Sequence, residues 1–145
     1  MSNNEFPEGH FFIRNVFSGK VLDIADSGNE PGSQVVVADR KSSGFDSQLW
    51  RYDSGLIINK GSGLVLQVPG YEGGGHIEPG TALRQAAKQE RALNQLWACN
   101  YQMLMPYDPA VAITGEGGKF VPGTNAVVDK YEMGDSKVQW TFETP

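Results

Sequence analysis

The sequence predicts an all-β fold made of three related units, each with four short strands. Glycine contributes 18 of the 145 residues, about 12% against a usual 7% or so, and proline adds eight more. Residues of these two types interrupt helices and mark turns, so this composition favours many short strands over long helices. Two sequence markers, each present three times in the same phase, then divide the chain into repeats.

The first marker is a tryptophan near the end of each unit, and the second is a Pro-Gly pair ahead of it. The tryptophans are 47 and 43 residues apart, and the Pro-Gly pairs begin 19, 18 and 18 residues before them. Chance rarely keeps two independent markers in one phase, so we interpret them as an internal repeat. The markers are Gln48-Leu49-Trp50, Gln95-Leu96-Trp97 and Val138-Gln139-Trp140, with Pro31-Gly32, Pro79-Gly80 and Pro122-Gly123.

Each unit is predicted to run strand, turn, strand, Pro-Gly turn, strand, loop and a last strand that begins at the tryptophan. A unit of about 45 residues cannot bury its apolar face alone, so three units with about twelve strands are expected to close around a shared core. The units cover approximately residues 8–53, 54–100 and 101–145 of a single domain, 1–145. The apolar segments that open, follow and end the units are residues 11–16, 21–24 and 50–52, then 56–59, 65–68 and 97–99, then 102–105, 110–113 and 140–142.

Residues 81–91 do not fit this pattern by local propensity. They consist largely of strong helix formers and would be predicted as a helix in isolation. The repeat register instead makes the first part of this segment a strand, with one helical turn near residues 89–92. We follow the register, because tertiary context overrides intrinsic propensity.

The repeats resemble those of the ricin B-type lectins, whose fold is a β-trefoil with pseudo-threefold symmetry. The resemblance extends from about Phe12 to Phe142, although the third unit has Val138 where the family has glutamine, and residues 7–15 look like the opening of small single-domain fungal members. The family's Gln-x-Trp element is structural. The resemblance therefore implies that the indoles of Trp50, Trp97 and Trp140 lie in the core and that the glutamine side chain satisfies backbone groups of a neighbouring loop.

In sugar-binding members, each pocket combines an Asp on the second strand, a stacking aromatic residue, and an Asn or Gln just before the tryptophan. A carboxylate accepts hydrogen bonds from adjacent hydroxyls, an aromatic ring covers the apolar face of a sugar, and an amide both donates and accepts. Carried over to the first unit, the resemblance gives Asp23, Ser47 in place of the amide, and Gln48 beside it. The aromatic position falls on Ala38, followed by Asp39 and Arg40.

The other two units match this pattern less well. The second has Asn94 and Gln95 at the amide positions, but Gln67 replaces the Asp and Ala86 replaces the aromatic residue. The third has Ala112 at the Asp position, Asp129 near the aromatic position with Tyr131 two residues later, and Lys137 at the amide position. The first unit is the best candidate, because it alone keeps the carboxylate. Strand alternation places Asp23 opposite Leu22 and Ile24, on a face expected to meet solvent. The alternative is that Asp23 only caps a turn after Ile24.

Three further side chains lie in long loops and are alternatives to the missing aromatic platforms. They are Phe45, Tyr71 and His76. Each is equally consistent with packing beneath its own loop. The glycine-rich residues 70–76 are expected to be the most flexible part of the chain.

The remaining composition argues against several classes of function. A net charge of −5 disfavours nucleic acid as a partner, and two histidines with one cysteine disfavour a Cys/His metal site, so no metal or cofactor is expected. We find neither a Gly-x-Ser-x-Gly elbow nor a phosphate-binding Gly-x-x-x-x-Gly-Lys loop, and we interpret Cys99 as a small buried hydrophobe, so we expect no enzyme activity. The longest apolar runs have about four residues, which excludes a membrane-inserted helix.

We therefore expect a lectin for galactose, N-acetylgalactosamine or related glycans, with glycans or glycoproteins as partners. Its shallow sites would bind weakly, and homodimerisation is an open route to higher affinity. A single cysteine, the absence of an Asn-x-Ser/Thr sequon and no signal-like pattern in residues 1–5 suggest a cytoplasmic location. The alternative function is a protein-binding β-trefoil such as a protease inhibitor, with Arg40, Lys41 and Arg84 as exposed basic contacts.

Overall fold

The computed structural model describes residues 5–145, which form short β-strands linked by turns and five brief 3-10 turns. Residues 1–4, on which part of the signal-peptide expectation depends, lie outside the described residues. The first repeat contains β1 (Phe12–Asn15), β2 (Val21–Ile24), β3 (Val35–Ala38) and β4 (Trp50–Asp53). The second contains β5 (Leu56–Asn59), β6 (Val65–Gln67), β7 (Thr81–Ala82), β8 (Arg84–Ala86) and β9 (Ala98–Asn100). The third contains β10 (Met103–Met105), β11 (Ala112–Gly115), β12 (Ala126–Asp129) and β13 (Trp140–Glu143).

The first and last strands of the repeats pair with one another to form a barrel. Antiparallel ladders join β1 to β13, β4 to β5 and β9 to β10, so the last strand of each repeat pairs with the first strand of the next. Backbone hydrogen bonds also join the start and end of each repeat: Phe11 with Trp50, Gly55 with Trp97, and Gln102 with Trp140. These links close the barrel and leave no repeat able to fold without its neighbours.

The three Pro-Gly turns are equivalent, as the repeat register predicts. Their glycines have φ values of +95°, +89° and +93°, a conformation that L residues with a side chain rarely adopt. Each glycine N–H donates to a carbonyl oxygen of the next repeat at 2.8 Å, so the turns lock the repeats together in a ring. The pairs are Gly32 with Gln85, Gly80 with Val128 and Gly123 with Val37.

The three tryptophans lie in one core to which all repeats contribute. Trp50, Trp97 and Trp140 are buried, and each indole Nε1–H donates to the backbone of its own repeat's second strand. The acceptors are the carbonyl oxygens of Leu22, Leu66 and Ile113, at 3.2, 3.0 and 3.0 Å. A buried indole N–H needs such a partner. The predicted all-β trefoil with pseudo-threefold symmetry and structural tryptophans is confirmed.

Residues 81–91 form a strand at first, as the register predicts, but their helical turn was predicted too early. The strand is divided into β7 and β8 at Leu83, whose backbone bonds to Val35 and Ala126 of the other two repeats. The chain then stays extended at Ala92, and the 3-10 turn covers Leu93–Gln95. No helix within residues 5–145 is long and apolar enough to span a membrane.

Candidate functional site

The indole hydrogen bonds fix which residues are equivalent in the three repeats. Because Leu22, Leu66 and Ile113 all accept from an indole, the residues that follow them are also equivalent: Asp23, Gln67 and Thr114. The sequence-based assignment of Ala112 to the Asp position was therefore wrong by two residues. The hydroxyl of Thr114 donates to the Lys137 carbonyl oxygen at 2.8 Å, so the third repeat uses this position to hold its own backbone.

Asp23 lies at the floor of a depression of about 390 Å³ beside the first repeat. The side chain does not face solvent as alternation suggested: the residue is only 5% exposed, because the loop after β3 and the 3-10 turn Asp46–Gln48 cover it. Gly123 of the third repeat's Pro-Gly turn closes one side. The depression is lined by Asp23, Ile24, Ala25, Asp26, Ser27, Val36, Ala38, Lys41 and Gly123.

Both oxygens of the Asp23 carboxylate already accept one hydrogen bond. Oδ1 accepts from the Ile24 backbone N–H at 2.7 Å, and Oδ2 accepts from the Gln48 side-chain amide at 3.1 Å. The predicted alternative, a local cap on the residue after β2, is thus one part of its role. A carboxylate has about four lone-pair positions, so two acceptor positions are left for a ligand.

Gln48 and Gln95 hold equivalent loops, as the family resemblance implies. Gln48 Nε2 donates to the Asp39 carbonyl oxygen at 2.9 Å, and its Oε1 accepts from the Lys41 N–H at 3.0 Å. Gln95 makes the same two bonds to Ala87 and Gln89 of the second repeat, both at 2.9 Å. Both side chains are fully buried. The structure therefore gives them a loop-holding role, and direct sugar contact remains a prediction.

The second repeat has no counterpart of the Asp23 carboxylate, and its polar groups bond internally. Gln67 is buried and accepts from Arg84 Nε at 2.7 Å. Asn94 is also buried, and its Nδ2 donates to the carbonyl oxygens of Val68 and Gly70 at 2.7 and 2.6 Å. Only its Oδ1 lacks a hydrogen-bond partner within residues 5–145. Sugar binding by Asn94 remains a prediction that this geometry does not favour.

Of the remaining sequence-predicted residues, Ser47 lies next to the Asp23 pocket, while Asp39 and Arg40 point elsewhere. Ser47 Oγ is 3.4 Å from Ser27 Oγ. Asp39, with a 73% exposed side chain, pairs with Lys20 at 3.1 Å. The Arg40 guanidinium binds Glu143 at 2.7 Å and lies 4.1 Å from the centre of the Phe12 ring. Their assignment as sugar contacts therefore rests on the resemblance alone.

Of three residues at the rim of the Asp23 pocket, sequence reasoning named Lys41 and missed Asp26 and Ser27. Lys41 Nζ donates to Ser27 Oγ at 3.3 Å across it. Asp26 and Ser27 both have left-handed backbones, with φ of +56° and +51°. The equivalent positions are Gly70-Tyr71 and Gly117-Gly118, also with positive φ. The first repeat thus carries two side chains where glycine is favoured, at a cost of about 1 kcal/mol or more each. This difference is visible once the indole hydrogen bonds align the three repeats.

The loop side chains considered as substitute platforms have other partners. Phe45 is half-buried and packs on Phe12 with ring centres 5.2 Å apart. Tyr71 packs against the core, and its hydroxyl accepts from the Glu78 N–H at 3.1 Å. His76 is exposed, and its Nδ1 lies 3.1 Å from Asp108 Oδ2. Phe45 and Tyr71 therefore pack beneath their loops and do not serve as exposed platforms for a sugar.

Asp108 anchors the glycine-rich loop of residues 70–76 to the third repeat. Its Oδ2 accepts from the Ile77 N–H at 2.8 Å, and its Oδ1 accepts from the Ala110 N–H at 3.0 Å. These backbone bonds, from Ala110 and then Ile77, lower the pKa of the Asp108 carboxyl. The Tyr107 hydroxyl adds a bond to the Gly75 carbonyl oxygen at 2.6 Å. The loop is thus fastened at its end, and its flexibility remains a prediction.

Replacing Asp108 with alanine is expected to lower the free energy of unfolding by about 1–2 kcal/mol at neutral pH, because two backbone N–H groups lose a charged acceptor. Folding lowers the pKa of the Asp108 carboxyl. The stabilisation is therefore fully present at pH values above the pKa of the unfolded chain, near 3.9, and declines as the pH falls through the pKa of the folded protein. Urea titrations between pH 3 and 7 should show the gap to wild type narrowing in acid. The exposed carboxylate Asp53 provides the control: if D53A reproduces both the loss and its pH dependence, the anchor is not specific.

Cys99 is buried, as predicted, and unsuited to nucleophilic chemistry. Burial, followed by the nearby Glu5 carboxylate, raises the pKa of its thiol to about 12. The thiolate is the reactive form of cysteine, and at neutral pH only a trace of it would exist. Cys99 therefore packs as a small apolar residue.

Known proteins with similar sequences or structures are ricin-type lectin-like and β-trefoil proteins. The family model described as "Ricin-type beta-trefoil lectin domain-like" matches residues 3–86. Mucoricin of Rhizopus delemar is 42% identical over 55 residues, a stretch that spans 37% of this chain and only 37% of mucoricin. The C-terminal half of an earthworm R-type lectin, solved with N-acetylgalactosamine, is 19% identical with a TM-score of 0.79, covering 96% of this chain and all of the other. The designed threefold-symmetric protein ThreeFoil is 22% identical with a TM-score of 0.81, covering 95% and 100%.

Proposed function

Because the chain belongs to the ricin-type β-trefoil lectin-like family, we propose that it is a carbohydrate-binding protein whose principal site is the Asp23 pocket of the first repeat. The ligands would be glycans or glycoproteins with a galactose- or N-acetylgalactosamine-type residue. Support for this sugar class comes from the earthworm lectin, whose structure contains N-acetylgalactosamine.

One observation carries the proposal. Asp23 presents a carboxylate with unused acceptor capacity at the floor of a depression, whereas Gln67 and Thr114, at the same position in the other repeats, are neutral and bond within the protein. Sugar hydroxyls are the donors that such a carboxylate binds.

The pocket favours binding over catalysis. It contains no aromatic side chain, so its affinity for a single sugar should be weak and would rise through multivalent contact or homodimerisation. The high pKa of the Cys99 thiol argues against a cysteine nucleophile. The lone cysteine and absent sequon support a location in a reducing compartment, for which we propose the cytoplasm.

A binding screen with galactose, N-acetylgalactosamine, lactose and chitobiose tests the proposal. Isothermal titration should show saturable binding to at least one of these sugars, with a dissociation constant in the weak range of about 0.1–1 mM expected for a shallow site. Absence of binding to all four at millimolar sugar, and to a broad glycan array, would contradict it.

The alternative function, a protease inhibitor, receives less support. Arg40, Lys41 and Arg84 already contact Glu143, Ser27 and Gln67 within the chain, so a protease would have to displace these contacts. Titrating trypsin-like and papain-like proteases with the same preparation separates the two functions. Inhibition at micromolar protein together with no sugar binding would favour the inhibitor.

A further inference from the structure

A second depression, of about 250 Å³, opens directly beside the Asp23 pocket. It is lined by Ser27, Asn29, Gly44, Asp46, Ser47 and Gly61, and we call it the Asn29 groove. Ser27 lines both depressions, and its Oγ lies 3.4 Å from Ser47 Oγ. A ligand that leaves the Asp23 pocket over Ser27 therefore enters the Asn29 groove.

Pseudo-threefold symmetry explains why one wall of this groove is missing. Asn59 Nδ2 donates to the Ser47 carbonyl oxygen, and Asn15 Nδ2 donates to the equivalent carbonyl oxygen of Lys137. The residues two positions after these asparagines, Gly61 and Phe17, are therefore equivalent. Gly61 has no side chain, and a Cβ there would lie 3.3 Å from the backbone of Asp46 and Ser47, so this wall has no counterpart of the Phe17 ring.

The opposite wall differs in the same way. The left-handed pairs Asp26-Ser27 and Gly117-Gly118 are equivalent, which places Asn29 opposite Phe120 in the comparison. At the equivalent place beside the third repeat, the rings of Phe17 and Phe120 are in contact with their centres 6.0 Å apart, and Phe17 is partly exposed. In the first repeat, glycine and asparagine replace both rings. Two substitutions thus convert an aromatic contact into an open polar groove.

The groove's lining suits a neutral, hydroxyl-rich group. The Asn29 amide both donates and accepts, the two serine hydroxyls do the same, and the Asp46 carboxylate accepts. The Asp46 side chain is 67% exposed, and its Oδ1 is 3.5 Å from Lys60 Nζ, so it is free to exchange solvent for a ligand. Because Asp46 is paired with Lys60, this edge of the groove carries no net charge, which suits a neutral sugar.

We propose that the Asn29 groove is a second subsite, which binds the neutral sugar residue linked to the one in the Asp23 pocket. The inference rests on the proposed sugar-binding function and deepens it: the preferred ligand is an oligosaccharide of at least two neutral residues. The additional contacts are hydrogen bonds to Asn29 and Asp46. Because Asp46 is exposed and paired with Lys60, both bonds are taken at the lower end of the usual range, which corresponds to about a tenfold gain in affinity.

The test compares each monosaccharide with a disaccharide that contains it. Isothermal titration of galactose against lactose, and of N-acetylglucosamine against chitobiose, should give about tenfold tighter binding of one disaccharide to wild type. The variant N29F restores an aromatic side chain at the position that Phe120 occupies in the third repeat. It should abolish this advantage and leave monosaccharide binding unchanged. The control K119F adds an aromatic side chain to an exposed loop of the third repeat and should retain the advantage.

Failure of this inference is distinguishable from failure of the proposed function. Monosaccharide binding without any disaccharide advantage in wild type, or an advantage that survives N29F, overturns the second subsite and leaves the lectin function intact. Loss of monosaccharide binding in N29F would show that the two depressions are one site and also overturns it. No sugar binding by wild type overturns both proposals.

Discussion

Replacing Trp50 with alanine is expected to lower the free energy of unfolding by about 4 kcal/mol, the usual cost of removing a buried tryptophan side chain. The indole is fully buried in the core shared by all repeats, so its loss leaves a cavity that the surrounding strands cannot collapse into without breaking the symmetric packing. The change also removes the indole N–H, which donates to the Leu22 carbonyl oxygen at 3.2 Å. A domain of this size has only about 5–15 kcal/mol of stability in total.

Urea denaturation followed by circular dichroism measures this loss. W50F separates its two causes, since the ring largely fills the space while the N–H is lost, and should cost about 2 kcal/mol. W97A and W140A should fall in the same range as W50A, because their indoles occupy equivalent places. A cost below about 1 kcal/mol for W50A would show that the core does not depend on the indole.

The fold was predictable because its defining features are local and occur three times. A turn position with φ near +90° favours glycine, and a core position that can satisfy an indole N–H favours tryptophan, so both positions are recognisable in the sequence. Repetition of Gly32 as Gly80 and Gly123 then provides the register that propensity alone lacks. The same register correctly outweighed the helix formers of residues 81–91, whose backbone bonds run to two other repeats.

The site was predictable only in part, because its details depend on contacts between distant segments. The apolar run of residues 110–113 offers several strand registers, and only the bond from the Trp140 indole to Ile113 identifies Thr114 as the partner of Asp23. Alternation gives the face of Asp23 but not what covers that face. The cover is the loop after β3, held in place by Gln48, which itself lies 25 residues further along the chain than Asp23.

The rim of the pocket lay beyond sequence reasoning for a different reason. Aspartate tolerates a left-handed backbone better than most residues, but glycine is the usual signal for it, so Asp26 and Ser27 did not predict one. The groove beside them was not predictable from sequence either, because it forms where Gly61 and Asn29 take the places of two aromatic residues. Both features emerge only when the three repeats are superposed by their hydrogen bonds.

Replacing Asp23 with alanine is expected to weaken sugar binding by about a hundredfold or more. Hydrogen bonds to a charged group contribute about 1.5–3 kcal/mol each, and the pocket offers two free acceptor positions on this carboxylate. Titration of wild type and D23A with the best sugar from the screen measures the loss. The variants Q67A and T114A remove the side chains at the same position of the other repeats, and they should retain wild-type affinity.

Loss of binding in D23A is informative only if the pocket keeps its shape, and the hydrogen bonds indicate that it does. Gln48 loses one partner but still bonds to Asp39 and Lys41 at 2.9 and 3.0 Å, so the loop after β3 stays in place. The Ile24 N–H loses its acceptor, which should cost about 1–2 kcal/mol of stability and leave the protein folded. A folded D23A that binds within threefold of wild type would assign the sugar to another repeat. A hundredfold loss at unchanged circular dichroism would assign it to this carboxylate, because Q67A and T114A carry the equivalent truncation without the missing charge.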